Sequence, residues 1–249
     1  MKKVFLTSYL GGAKKSGGTR VPSPLFSDNG LTDRLKAAWP EQARVLLVCA
    51  SPDDYEKNDL VLACQRIAFP LSGLGVSSME MCDARSGNAA DRLGDMDAVV
   101  LTGGHVPTQN AFFRKIGLKE KLSRFNGLVI AWSAGSMNCA ETVYAGPELD
   151  GEAVDPAFQR WIPGLGLTDI NIFPHYDRLK DEWLDGLRLM EDITYPDSCR
   201  HEILALTDGS YILIENGQET LFGEGYSIRN GELRKICGYG ESLILKSGK

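Results

Sequence analysis

The chain has 249 residues, 43% of them hydrophobic and 24% charged, enough for one large α/β domain or two small ones. Its net charge of −6 argues against a nucleic-acid partner, while leaving anionic small substrates open because a local pocket can oppose the global sign. No apolar run approaches the ~20 residues that span a bilayer, and the first apolar run is too short for a signal peptide, so a cytoplasmic protein without a membrane partner is expected.

In chain order, Val4 to Thr7 reads as a first strand and Gly11 to Gly30, rich in Gly, Ser, Lys and Pro, as a long loop. Leu31 to Ala38 reads as a helix stopped by Trp39-Pro40, and Arg44 to Cys49 as a buried strand running into the helix-start cluster Ser51-Pro-Asp-Asp54. Leu60, Val61, Cys64, Ile67 and Ala68 recur at helical spacing before Pro70. Val76 to Met81 alternates like a strand, and Asp97 to Thr102 is a buried strand ending in Gly103-Gly104. Asn110 to Phe125 reads as a helix broken near Gly117, followed by the strand Leu128 to Trp132.

A Gly/Pro/acid-rich connection from Val143 to Pro163 leads to a strand over Thr168 to Phe173, and Asp181 to Met190 reads as an amphipathic helix. Beyond it lie short apolar runs separated by Asp208-Gly209, Asn216-Gly217 and Asn230-Gly231, the dipeptides of β-hairpins. The β-α-β-α alternation implies a three-layer α/β/α sandwich, flavodoxin-like, with a mostly parallel sheet that antiparallel C-terminal hairpin strands extend. We expect one domain over residues 1–249. Six dispersed cysteines without a CxxC pair read as reduced core residues.

The chemistry points to Ser133. An apolar, β-branched run stops at this serine, small residues surround it and a helix-compatible segment follows, the pattern of a nucleophile on a sharp strand-to-helix turn. A serine hydroxyl needs a base, and the chain has only His105, His175 and His201. His175 stands just beyond a strand, with Pro174 fixing one backbone angle before it; the bland reading is a surface histidine at a helix start. His105 follows the Gly-Gly turn and reads as pocket lining, and His201 reads as structural. Between Ser133 and His175, the candidates for an orienting acid are Glu141, Glu148, Asp150, Glu152, Asp155 and Asp169, and spacing alone does not choose among them. Oxyanion donors are expected from Ala134, at the helix N-terminus, and from Gly103-Gly104, where the missing Cβ admits a substrate; a plain tight turn is the alternative.

Three segments, Ala131-Trp-Ser-Ala-Gly-Ser136, Leu101-Thr-Gly-Gly-His-Val-Pro-Thr-Gln-Asn110 and Asn171-Ile-Phe-Pro-His-Tyr-Asp177, together resemble peptidase family S51, which includes peptidase E (aspartyl dipeptidase) and cyanophycinase, within the class I glutamine-amidotransferase-like superfamily. The run Ile203 to Gly217 looks like the family's closing strands, and the resemblance extends from about Val45 to Ile236. It implies Ser133 as nucleophile, His175 as base, and Gly104 and Ala134 as oxyanion donors. The aspartate some fifteen residues past the nucleophile in peptidase E corresponds by offset to Glu148, and Asp150 stays open. Arg178 is the candidate cation for a substrate carboxylate, against the plainer reading of a surface arginine.

The expected function is hydrolysis of a small peptide, a dipeptide with N-terminal Asp or an isopeptide, through an acyl-enzyme on Ser133. No cofactor and no metal are expected, since nothing resembles a ligand cluster or phosphate loop. The oligomeric state stays open, a homodimer included. Rival readings are an esterase or acyl transferase using the same serine, which would favour His201, and a non-catalytic small-molecule-binding relative.

Overall fold

A computed structural model of the chain describes residues 2–87 and 89–248. Strand Lys3–Thr7 (β1) leads into strands Gly11–Ser16 (β2) and Thr19–Leu25 (β3), helix Leu31–Ala38 (α1) and strand Ala43–Val48 (β4). Helix Tyr55–Leu71 (α2), strands Val76–Cys82 (β5) and Ala98–Leu101 (β6), helices Val106–Lys115 (α3) and Leu118–Arg124 (α4), and strand Leu128–Trp132 (β7) follow. Next come helix Ala134–Met137 (α5), strands Thr142–Tyr144 (β8), Trp161–Pro163 (β9) and Asn171–Phe173 (β10), helix Tyr176–Leu179 (α6), and strands Trp183–Leu184 (β11) and Leu187–Arg188 (β12). Ile203–Leu206 (β13), Tyr211–Glu215 (β14), Gln218–Phe222 (β15), Gly225–Arg229 (β16), Glu232–Cys237 (β17) and Ser242–Lys246 (β18) close the chain.

The eight-stranded main sheet has the order β18-β15-β14-β1-β7-β6-β4-β5. Strands β1, β7, β6, β4 and β5 pair in parallel, and β14, β15 and β18 add to the β1 edge by antiparallel pairing. The central strands are apolar throughout because both faces are covered. On one face Val4, Leu6, Val99, Leu101, Val129 and Ala131 pack with Phe112, Phe113, Leu118 and Leu122 of α3 and α4. On the other, Phe5, Val45, Leu47, Val100 and Ile130 pack with Leu31 and Leu35 of α1 and Ala68 and Phe69 of α2. This is the expected three-layer sandwich with a mostly parallel sheet. No helix among the described residues is long and apolar enough to cross a membrane.

Local signals act as read at several places. Asp54 caps α2, its carboxylate accepting the Lys57 N–H at 3.2 Å. Gly117, at φ 61°, separates α3 from α4. Cys49, Cys64, Cys82, Cys139 and Cys237 are buried thiols as read, whereas Cys199 is exposed and departs from the core reading.

Three expectations need correction. The segment from Gly11 to Gly30 is not one loop: β2 and β3 pair around Gly17-Gly18. Backbone pairing and the Gln65 amide, 3.4 Å from the Gly11 carbonyl, hold this polar ribbon, so it carries no hydrophobic period to read. Asp181 to Met190 is not an amphipathic helix but the β11–β12 hairpin followed by a π-helical turn over Leu189–Thr194. Asp185 (φ 52°) and Gly186 (φ 81°) form the two-residue turn, a hairpin dipeptide that the helical spacing of the flanking apolar residues masked. The closing strands do not all extend the main sheet either. Strands β13, β16 and β17 join β10 in a separate four-stranded sheet.

Candidate active site

The site assembles where β1 and β7 end side by side, Thr7 opposite Trp132 in the parallel ladder. The next residue of β7 is Ser133, at φ 51° and ψ −123°. This sparsely populated conformation turns the chain from strand to helix and leaves the side chain projecting from the elbow. Several contacts hold the turn in place. The Ser133 N–H is shared between the Thr7 and Ser8 carbonyls at 3.1 and 3.2 Å, and the Ser136 hydroxyl donates to Thr7 O at 2.9 Å. Gly135 is required by close approach, since a Cβ there would lie 2.4 Å from the Leu101 carbonyl oxygen. That contact gives the small residue two places after the serine its physical reason.

Gly103-Gly104, at the end of β6, lies against the elbow. A Cβ on Gly103 would lie 3.1 Å from Ser133 Cβ and 2.6 Å from Trp132 Nε1, so only glycine lets this backbone run beside the serine. Ala134 opens α5 and is fully buried. His105 caps α3; its Nδ1 lies 2.7 Å from Thr108 Oγ1 and its Nε2 2.9 Å from Glu152 Oε1. It thus tethers the loop after β8 rather than serving the serine.

His175 lies in the left-handed region at φ 58°, between β10 and α6, and lines one cavity of about 400 Å³ together with Ser133. Its Nδ1 is 2.6 Å from Asp208 Oδ1. Asp208 stands in the turn between β13 and β14, beyond the histidine in the chain. The structure therefore corrects the expectation for the histidine's carboxylate partner: it is Asp208, and neither Glu148 nor Asp150. Glu148 Oε1 accepts the Val106 N–H at 3.2 Å, and Asp150 is exposed. The other candidates are engaged elsewhere: Glu141 with Lys119, Asp155 with the Ala157 N–H, Asp169 with Lys246, and Glu152 with His105.

Ser8 was not singled out in the sequence, yet it ties the pair together. Its hydroxyl accepts the His175 N–H at 2.7 Å and donates to Asp208 Oδ1 at 3.1 Å. The Asp208 N–H in turn donates to Asp177 Oδ1 at 2.9 Å. Arg178 Nη2 reaches Asp208 Oδ2 at 2.8 Å and comes within 2.5 Å of His175 Nδ1. The carboxylate faces both groups, Oδ1 toward His175 Nδ1 and Oδ2 toward Arg178; an Nδ1 that donates to it leaves Nε2 as the acceptor. Burial by itself would raise the Asp208 carboxyl, but the hydrogen bond with His175, the Arg178 charge and the Ser8 hydroxyl outweigh it and hold the group below its ordinary range. Arg178 also lies over the Tyr9 ring, 5.7 Å from its centroid, and does not line the cavity, so the cation expected for a substrate carboxylate is engaged with Asp208.

The apolar walls of the cavity come from Met137, Tyr144, Phe173, Leu179, Leu184 and Leu189. Glu148 and Glu182 are its acidic members. Although Glu148 as a residue is open to solvent, its carboxyl turns to the cavity wall. There burial pushes it up to about 7, with the Val106 N–H opposing and the Glu152 charge reinforcing the rise. His201 packs edge-on against Trp161 and does not line the cavity, which removes the rival assignment of the base to it. Among the described residues, no group of three or more His, Cys, Asp or Glu is arranged to hold a metal ion.

The family model of peptidase family S51 matches residues 26–222. The chain is similar to a crystal structure of a Listeria monocytogenes EGD-e protein provisionally assigned as a peptidase E. The two share 16% sequence identity with a TM-score of 0.58, over 89% of this chain and 98% of the other. At that identity the likeness shows the fold. No curated protein matches the chain. The family match covers the strands that carry Gly103-Gly104, Ser133 and His175 as well as the turn of Asp208, and the chain belongs to peptidase family S51.

Proposed function

We propose that the protein is a serine peptidase that cleaves small peptides through an acyl-enzyme on Ser133, with His175 as base and Asp208 as the acid that orients it. The observation that carries this reading is the 2.6 Å contact of His175 Nδ1 with Asp208 Oδ1, made by a histidine that shares one cavity with a serine on a strained elbow. The protonated Nδ1 leaves Nε2 to take the serine proton as Oγ attacks the substrate carbonyl. The backbone N–H groups of Ala134 and of the Gly103-Gly104 turn stabilise the oxyanion. As the tetrahedral intermediate collapses, His175 returns the proton to the departing amine. A water then attacks the acyl-enzyme by the same route in reverse, releasing the acid and restoring Ser133. Asp208 remains ionised throughout, as its depressed pKa favours.

A fluorophosphonate probe tests the activated serine. Wild type is labelled at Ser133, His175→Ala is labelled far more slowly, and Ser133→Ala is not labelled. A dipeptide panel run on wild type and Ser133→Ala then tests peptidase activity. Labelling without turnover of any peptide would shift the reading to an esterase or acyl transferase, and absence of labelling in folded protein would leave a non-catalytic binding protein.

A further inference from the structure

We propose that the cavity beside Ser133 selects a substrate whose N-terminal residue carries an apolar side chain, with its free α-ammonium held by the Glu148 carboxylate, and that it rejects an acidic residue there. This assignment rests on the peptidase reading for the chemistry, but its binding content stands on the cavity alone.

The charges decide against an acidic side chain. No lysine or arginine is among the residues that line the cavity, whereas Glu148 and Glu182 are. Arg178, three residues past His175, is held by Asp208 at 2.8 Å. An aspartyl group would lose its hydration to meet the Glu182 carboxylate and a Glu148 carboxyl that ionises around neutrality, a built-in penalty against that substrate. An apolar group meets the opposite situation. Tyr144, Phe173, Leu179, Leu184 and Leu189 present carbon to it, and a cavity of about 400 Å³ lies at the small end of ligand sites, fit for one or two residues.

Glu148 is held where it faces the bound chain. Its N–H and that of Leu149 donate to Glu152 Oε2 at 2.9 and 3.0 Å, while Glu152 Oε1 meets His105 Nε2 at 2.9 Å. The Glu148 side chain gives one oxygen, Oε1, to the Val106 N–H, leaving Oε2 for an ammonium group. The same loop and the β11–β12 hairpin both contribute to the lining, through Glu148 and through Trp183 and Leu184. Asp185 at the hairpin turn accepts the N–H groups of Gly151 at 2.8 Å and Ala153 at 2.9 Å, clasping the two pieces. With the loop and hairpin clasped in this way, the Glu148 carboxylate is held in place beside the apolar walls, a position that suits the charged end of a chain better than an internal segment.

The test is calorimetric binding of four dipeptides to Ser133→Ala: Leu-Ala, Lys-Ala, Asp-Ala and N-acetyl-Leu-Ala. Leu-Ala is expected to bind at least tenfold tighter than Asp-Ala and than its acetylated form. Glu148→Gln, whose carbonyl still accepts the Val106 N–H, is expected to abolish the advantage of Leu-Ala over the acetylated peptide. The proposal is overturned if Asp-Ala binds tightest, if Lys-Ala does (the carboxylates then serve a basic side chain), if Glu148→Gln changes nothing, or if no dipeptide binds. Because Ser133→Ala needs no turnover, the two readings fail separately: tight Leu-Ala binding with a wild type that hydrolyses nothing and resists the fluorophosphonate would sink the peptidase reading and leave the cavity assignment standing.

Discussion

His175 Nδ1 and Asp208 Oδ1 lie 2.6 Å apart across a turn that the chain reaches 33 residues after the histidine. The contact picks out the carboxylate that meets the histidine, and Asp208→Asn tests the role proposed for it. An amide can present its N–H to Nδ1, fixing the wrong tautomer and leaving Nε2 protonated toward the serine. On a serine-histidine-acid mechanism kcat falls by roughly 10³ to 10⁴. Glu148→Gln and Asp150→Asn are expected to leave kcat within about tenfold, their effects appearing in KM. A larger loss of kcat in Glu148→Gln than in Asp208→Asn would overturn the assignment.

Ser8→Ala removes one acceptor for the His175 N–H and one donor to Asp208 while leaving both ionisable groups in place. Losing the hydrogen bonds of a buried hydroxyl costs about 1–3 kcal/mol. Part of that cost should appear as reduced kcat with little change in KM, because Ser8 positions the pair and does not line the cavity. Ser8→Thr, which keeps the hydroxyl, should recover part of the rate; steady-state kinetics on the two variants makes the comparison.

The strain at Ser133 predicts a trade of stability against activity. Glycine adopts φ 51°, ψ −123° freely, whereas alanine keeps the Cβ that makes the turn costly. Ser133→Gly is therefore expected to be more stable than Ser133→Ala by about 1 kcal/mol, both being inactive. Thermal melts of the two side by side measure it, and equal melting temperatures would mean the elbow stores no such strain.

Glu148 predicts a pH dependence of stability. Below the ordinary glutamate value both folded and unfolded chains hold the proton. Between that value and about 7, the unfolded chain gives it up while the folded one retains it. Ionisation therefore weighs on the fold, and stability from this group falls as pH rises through that window. With the residue partly open to water, the effect is on the order of 1 kcal/mol at the alkaline end. Glu148→Gln should raise the melting temperature at pH 8 and leave it nearly unchanged at pH 4; a gain confined to acid would contradict the direction.

Gly135→Ala tests the packing beneath Ser133. Its Cβ would collide with the Leu101 carbonyl oxygen, a backbone atom that cannot step aside as a flexible side chain can. A loss of about 1–3 kcal/mol in chemical denaturation is expected, in the range of overpacked cores.

Sequence by itself determined the parallel half of the fold and the elbow that carries Ser133. The runs at β4, β6 and β7 are apolar on both faces because helices cover both, and that composition survives in the one-dimensional pattern. A serine between small residues at the end of such a run needs only local geometry, as does a histidine in a Pro-His-Tyr turn. The Asp185-Gly186 hairpin was equally local, but the apolar residues around it also fit a helix, and two readings of one short segment cannot be separated without knowing what it packs against.

Only the tertiary structure decided which carboxylate meets His175, the ribbon and the character of the cavity. Asp208-Gly209 reads as a hairpin turn, and so it is; that its carboxylate meets His175 follows from β13 pairing with β10 while β14 pairs with β1, two long-range ladders in different sheets. Asp208 lies beyond both serine and histidine in the chain, where no spacing between those two points. Ser8 is one hydroxyl after one strand until β1 ends beside β7. The cavity's two carboxylates, its apolar walls and the capture of Arg178 by Asp208 come from segments far apart in the chain, and such encounters leave no period, spacing or composition for a sequence to display.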